Sequence, residues 1–214
     1  MEPIENSGNH LILPADLEKA VEIIKDGGVV AFPTETYYGL ACDPFSKAAL
    51  SRLFALKRRS PDKPVLTLID HEEQLPLLVK NVPALFDPLM RSFWPGPLTL
   101  IFPALDDLPE LLTGYTSTVG VRISSHAVAR RLVEAVGQPI TATSANFSGH
   151  PAAVSAREVS EQLGPDIDFI LDAGETPGGR GSTIVGINDQ GELMILREGV
   201  MPAGQISPHL EKSE

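Results

Sequence analysis

Short apolar runs alternate with stretches of helical periodicity along most of this chain, and that alternation restricts the folds open to it. Residues 29–32, 65–69, 98–102, 118–123, 140–143, 169–171, 183–187 and 193–196 each read as a strand. Helical patterns precede the first of them and lie between others. Leu17, Ala20, Val21 and Ile24 share one face of a helix that Asp16 caps and Gly27-Gly28 ends. Ser46 caps a second helix, with Leu50, Leu53, Phe54 and Leu56 inward. Residues 72–79 and 83–93 continue the pattern until Trp94-Pro95-Gly96-Pro97 breaks it. A further helix over 128–136 stops at Gly137, and Ser155-Ala156-Arg157-Glu158 is a capping box for another. Strands interleaved with helices predict an α/β fold, a twisted sheet flanked by helices. The late crowding of strands makes that sheet mixed rather than purely parallel.

With 43% hydrophobic residues in 214, the chain can bury one sizeable core. The expected organisation is a polar N-terminal tail over residues 1–11, one domain over 12–200 and a polar C-terminal tail over 201–214. No apolar run is long enough to span a bilayer, and the first ten residues lack the basic and apolar regions of a signal peptide. The single Cys42 excludes an internal disulfide and fits a reducing compartment, the cytoplasm. Five scattered histidines form no close helical pair, so no metal site is expected. A net charge of −11 argues against coating nucleic acid by bulk attraction, which leaves the local cluster Lys57-Arg58-Arg59, with Lys63, to be explained.

Several polar segments follow strands, where open α/β sheets commonly bind ligands. Pro33-Thr34-Glu35-Thr36 offers two hydroxyls and a carboxylate, though a capped turn accounts for it equally well. Cations in a helix's last turn are favourable through its dipole alone, but Lys63 lies beyond a proline and suits a polyphosphate. Thr141 to Gly149 presents hydroxyls, an amide and backbone N–H groups. Gly178-Gly179-Arg180-Gly181-Ser182-Thr183 is flexible but lacks the Gly-Lys-Ser/Thr ending of a Walker-type phosphate loop. Arg122 and Arg197 stand at strand ends, where a guanidinium can fork onto a carboxylate or phosphate. Residue chemistry alone reaches an α/β protein with anion-binding loops.

In order along the chain, these segments resemble the signature of the YrdC/TsaC family. The matching residues are Pro33-Thr34-Glu35-Thr36 with Tyr38-Gly39-Leu40, Lys57-x-Arg59 before Pro64, Trp94-Pro95-Gly96-Pro97-Leu98-Thr99, and Val121-Arg122 with His126. Ser144-Ala145-Asn146 with Ser148-Gly149, Ser182-Thr183-Ile184-Val185 and Leu196-Arg197-x-Gly199 complete the set. The resemblance implies a YrdC-like fold with a concave, positively charged cavity. It also implies an activity: L-threonine, bicarbonate and ATP, with Mg²⁺ accompanying ATP, give threonylcarbamoyl-AMP and pyrophosphate. The product would pass to a threonylcarbamoyl transferase complex that modifies tRNA. By the same resemblance Thr36, Arg122, Ala142 and Ser182 hold threonine, and Arg59, Lys63, Thr118, Ser144 and Arg197 surround ATP. Lys57, Arg59, Ser144 and Asn146 form the catalytic set.

Two positions depart from longer relatives: Leu68 stands where some carry a histidine near threonine, and Ala152 where some carry a serine near the phosphates. The chain resembles the short, single-domain form. Two other functions stay open at this point. One is a carbamoyl-adenylate-forming enzyme; the other is a non-catalytic module that binds double-stranded RNA or tRNA.

Overall fold

The computed structural model describes residues 11–210 together with strand β1 (Ile4–Glu5), which pairs antiparallel with β2 (Leu11–Ile12). The N-terminal tail expected over residues 1–11 falls largely outside the described residues. Among those described, the other ten strands form two sheets. One runs in the order β10 (Phe169–Ile170), β3 (Val30–Pro33), β4 (Tyr38–Ala41), β9 (Thr143–Ser144). The larger runs β12 (Leu193–Arg197), β11 (Thr183–Ile187), β6 (Leu98–Pro103), β7 (Thr118–Ile123), β5 (Thr67–Ile69), β8 (Ile140–Thr141). Both are mixed: β10 and β3 are parallel beside an antiparallel β3–β4 pair, and β11 and β6 are parallel beside antiparallel β6 and β7.

The run 140–143, expected as one strand, is divided between the sheets. Thr141 pairs with Thr67 and Thr143 with Leu40, so Ala142 is the step at which the chain crosses over. The segment 33–36, for which a capped turn is one reading, belongs to a tight hairpin between β3 and β4. Thr34 N donates to Tyr37 O (3.1 Å), and Tyr38-Gly39-Leu40 already belong to β4.

Helices α1 (Pro14–Lys25) and α5 (Ala127–Val136) cover one side, where Leu17, Ala20, Ile24, Val128 and Leu132 pack with Phe32 and Leu68. α1 begins at Pro14 rather than after Asp16. Proline lacks the N–H that a first helical turn leaves unsatisfied, and Asp16 sits inside that turn, where its charge opposes the positive end of the dipole. Against the other core lie α2 (Lys47–Lys57), α3 (Asp87–Phe93), α4 (Glu110–Thr113), α6 (Ala156–Leu163) and α7 (Ala203–Leu210). Ser46 caps α2 as expected, its Oγ accepting from Ala49 N at 3.2 Å.

At α6, Ser155 Oγ accepts from Glu158 N at 3.2 Å, but the Glu158 carboxylate reaches Val154 N (2.9 Å) rather than closing the box on Ser155. Residues 72–79 and 83–93 are tighter than expected: Glu72–Leu77 is a 3₁₀ helix, and a 3₁₀ turn (Ala84–Phe86) precedes α3. Pro76 and Pro88 withhold helix donors there. The expected C-terminal tail is also corrected. Residues 203–210 form α7, with Ile206 fully buried and His209 edge-on to Phe93 at 5.2 Å.

Alternation along the larger sheet sets up the site. Leu98, Leu100, Phe102, Val119, Val121, Ile123 and Val185 face the core, and each fully buried aliphatic side chain contributes about 1.5–3 kcal/mol. Thr99, Ile101, Thr118, Gly120, Arg122 and Ile184 therefore face the opposite way, into a cavity. Behind its rim, Gly199 passes so close to Gly181 and Ser182 that an added Cβ would lie 2.1 Å from Gly181 O. Gly199→Ala is expected to cost about 2–3 kcal/mol in denaturant unfolding, since neither backbone can yield without moving β12.

Candidate active site

The cavity holds about 340 Å³ between the two sheets. Of the residues expected to bind substrates, Thr36, Arg59, Thr118, Arg122, Ala142, Ser144, Ser182 and Arg197 line it. Lys57 and Asn146 lie directly behind the lining. Lys63 is exposed and outside it.

The three consecutive cations have separate fates because α2 ends among them. Lys57 is its last residue and is 1% exposed. Its Nζ donates to Ser144 O, to Asn146 O (2.9 Å) and to Asn146 Oδ1 (3.2 Å). Asn146 Oδ1 also accepts from Ser144 Oγ at 2.6 Å, and Asn146 Nδ2 donates to His150 O at 2.5 Å. The buried ammonium thus holds the loop after β9 by its carbonyls. Burial, and then the charge of Arg59, pull Lys57 down to about 7. Arg58 takes the left-handed C-cap conformation (φ 51°) and lies over the Phe147 ring at 4.4 Å. Arg59 turns into the cavity, anchored through Nε to Lys63 O (3.2 Å) and through Nη2 to Pro64 O (2.8 Å). Neither contact uses a carboxylate, so most of its charge is left for a ligand.

Arg122 is 3% exposed, in β7 between core-facing Val121 and Ile123. Glu35 Oε1 lies 3.7 Å from its Nη1, and the Nε hydrogen has no acceptor among the described residues. Burial lowers the pKa of this guanidinium while Glu35 opposes the shift; arginine stays charged regardless. Ser124 Oγ donates to the other Glu35 oxygen. Arg197 Nη2 donates to Ser182 O at 2.8 Å, and Ser182 Oγ shares a hydrogen bond with Thr99 Oγ1 at 2.8 Å. Burial and then the Arg122 charge lower Arg197, which places two cations in electrostatic reach of one another.

Gly181 and Ser182 of the glycine segment line the cavity, and its earlier residues are tied to the hairpin. Gly178 N donates to Thr36 O (2.7 Å) and the Tyr37 hydroxyl donates to Gly179 O (2.6 Å). Gly178 and Gly179 hold φ of 68° and 84°, which glycine adopts without strain. Ala142 contributes less than expected, since its N–H already donates to Leu66 O (2.9 Å), leaving its carbonyl. Leu68 pairs in register with Arg122 but lies in the core, outside the lining; Ala152 lines the cavity. Sequence reasoning offered Thr34 only as a hydroxyl after a strand and gave no site role to Tyr37, Thr99 or Ser124. Thr99 was accessible from the two-residue period of β6. Ser124 was not, because its role depends on Glu35, which is 89 residues away.

His126, beside this group, is held neutral: burial lowers its pKa and Glu35 only partly restores it. The unfolded chain therefore binds a proton that the folded one resists, and stability falls as pH drops below the ordinary histidine value of 6.5. His126→Asn is expected to flatten the fall in melting temperature between about pH 6.5 and pH 5.

What the cavity brings together is anion chemistry: one buried, paired guanidinium, two guanidiniums bonded, among the described residues, to neutral oxygens, and hydroxyls between them. A family model for Sua5/YciO/YrdC domains, described as telomere recombination, matches residues 22–199. A threonylcarbamoyl-AMP synthase of Vibrio cholerae is 39% identical over 88% of this chain and 100% of its own length. One from Pyrococcus abyssi is 40% identical over 87% of this chain and 55% of its own, so the chain spans about half of that relative. The crystal structure of P. abyssi Sua5 complexed with L-threonine superposes with a TM-score of 0.87 at 38% identity, covering 91% of this chain and 57% of that one. The mixed α/β architecture, the aligned length and the identity agree, and the chain belongs to the Sua5/YciO/YrdC family.

Proposed function

We propose that this chain is a threonylcarbamoyl-AMP synthase, joining L-threonine, bicarbonate and ATP. The observation that carries the reading is Arg122, a buried guanidinium on the cavity wall with an unused N–H, suited to a carboxylate. In this reading Arg122 holds threonine's carboxylate, with Thr36, Ser182 and the Ala142 carbonyl around its polar groups. Arg59, Arg197, Ser144 and Thr118 surround ATP in a positively charged cavity, and exposed Lys63 meets the outer phosphates. Lys57 and Asn146 act from behind by fixing Ser144.

The chemistry needs placement more than a protein nucleophile. Threonine's amine and bicarbonate condense with loss of water to a carbamate. A carbamate oxygen then attacks the α-phosphorus, the bond to the bridging oxygen breaks, and pyrophosphate leaves. Arg59 and Arg197 oppose the charge that develops there, and the cavity fixes the approach. Mg²⁺ enters as part of MgATP, bound through the substrate's phosphates. The adenylate then passes to a threonylcarbamoyl transferase complex acting on tRNA, which places the work in the cytoplasm. No helix among the described residues is long and apolar enough to cross a membrane.

Pyrophosphate release measured with each substrate omitted in turn tests this reading. Release is expected only with threonine, bicarbonate and ATP together. Turnover with carbamoyl phosphate in their place would identify a carbamoyl-adenylate former, and salt-sensitive tRNA binding without turnover an RNA-binding module.

A further inference from the structure

The three cavity arginines differ in how their charge is balanced. Arg122 has a carboxylate partner at 3.7 Å. Arg197 donates to Ser182 oxygens and Arg59 to two backbone carbonyls. Among the described residues the acid whose charge acts on Arg59 is Asp62, which is exposed and bonded to Ser60.

The pairing of Arg122 is also incomplete in a particular way. Among the described residues Glu35 Oε1 and Arg122 Nε are both buried without a hydrogen-bond partner, while Ser124 Oγ donates to the other Glu35 oxygen. Glu35 thus balances the charge of Arg122 from a tethered position and leaves guanidinium donors open.

We propose that Glu35 is a specificity-determining charge: it neutralises Arg122 without consuming its donors, and so keeps phosphate groups out of the seat for threonine's carboxylate. This rests on the reading of Arg122 as that seat.

The need for such a charge follows from the neighbourhood. Arg122 and Arg197 line the same cavity of about 340 Å³, so a phosphate chain held by Arg197 is within the field of Arg122. Coulomb repulsion grows with ligand charge, so Glu35 opposes a phosphate dianion about twice as strongly as a carboxylate at equal distance. Threonine in solution is a zwitterion, and its ammonium is attracted by the same carboxylate. A neutral Glu35–Arg122 pair with open donors therefore admits an amino acid and disfavours a polyanion. An unbalanced Arg122 would accept either.

The test is the threonine dependence of pyrophosphate release at several concentrations of inorganic phosphate, with ionic strength held constant. In the wild type, added phosphate is expected to change the KM for threonine by less than about twofold. In Glu35→Gln the same phosphate is expected to raise it about tenfold at unchanged kcat, a competitive pattern that general loss of structure does not create. Equal phosphate sensitivity in the two proteins, or competition with ATP alone in both, overturns the proposal.

Ser124→Ala supplies a second reading if Glu35→Gln does not fold. It keeps the charge but frees the carboxylate to close on Arg122, so the KM for threonine should rise about threefold while phosphate insensitivity persists. An unchanged KM there overturns the role of the tether. A wild type that turns over without threonine would instead reject the functional reading beneath the proposal.

Discussion

Arg122→Ala is expected to lower kcat/KM for threonine by about 100-fold or more, the usual consequence of truncating one partner of a buried charged contact. KM for ATP should change far less, because Arg59 and Arg197 keep their own anchors at Pro64 O and Ser182 O. The substitution also leaves Glu35 buried without its cation, which costs about 3–5 kcal/mol where the carboxylate cannot reach water. Glu35 retains Ser124 as a donor and its side chain is 14% exposed, so the lower end of that range is expected. Steady-state kinetics at varied threonine, with a denaturation curve on the same sample, separates the two effects. Comparable loss in kcat/KM for both substrates would remove Arg122 from the threonine seat.

Lys57→Met carries the second large effect, and it acts on position rather than contact. The wild-type ammonium serves the carbonyls of Ser144 and Asn146 inside the protein. Methionine strips a donor from both oxygens; Ser144 O keeps Asn146 N at 3.1 Å, while Asn146 O is left unpaired, so a loss of about 1–3 kcal/mol in unfolding free energy is expected. Ser144 sits on the loop those carbonyls belong to, and a displacement of about 1 Å there corresponds to about 100-fold in rate. Arg58→Ala, one residue along, is the control. Its guanidinium lies over Phe147 at the surface, and its removal is expected to cost at most about 1 kcal/mol with kinetics unchanged. If Lys57→Met and Arg58→Ala behave alike, the buried bonds of Lys57 do not organise the site.

Much of this was legible from residue order because local rules and tertiary needs agree. Ser46 caps α2 by its own hydroxyl, and the strand at 118–123 has the predicted bounds because Val119, Val121 and Ile123 alternate with residues that face elsewhere. Other features depend on partners distant in sequence. Nothing local to residues 140–143 says that one half pairs with Thr67 and the other with Leu40, yet this step at Ala142 joins the two sheets around the cavity. The cluster Lys57-Arg58-Arg59 reads as one basic patch until the left-handed turn at Arg58 sends its members in three directions. Glu35 was visible as a carboxylate after a strand. Its meaning came from Arg122 and Ser124, which a strand on the other sheet brings to it.

The most direct measurement is the composition of the adenylate itself. Enzyme incubated with ATP, threonine and isotopically labelled bicarbonate should yield a product whose mass contains AMP, threonine and one labelled carbon, with one pyrophosphate released per product. An adenylate lacking threonine or the labelled carbon, formed at the same rate, would contradict the assignment.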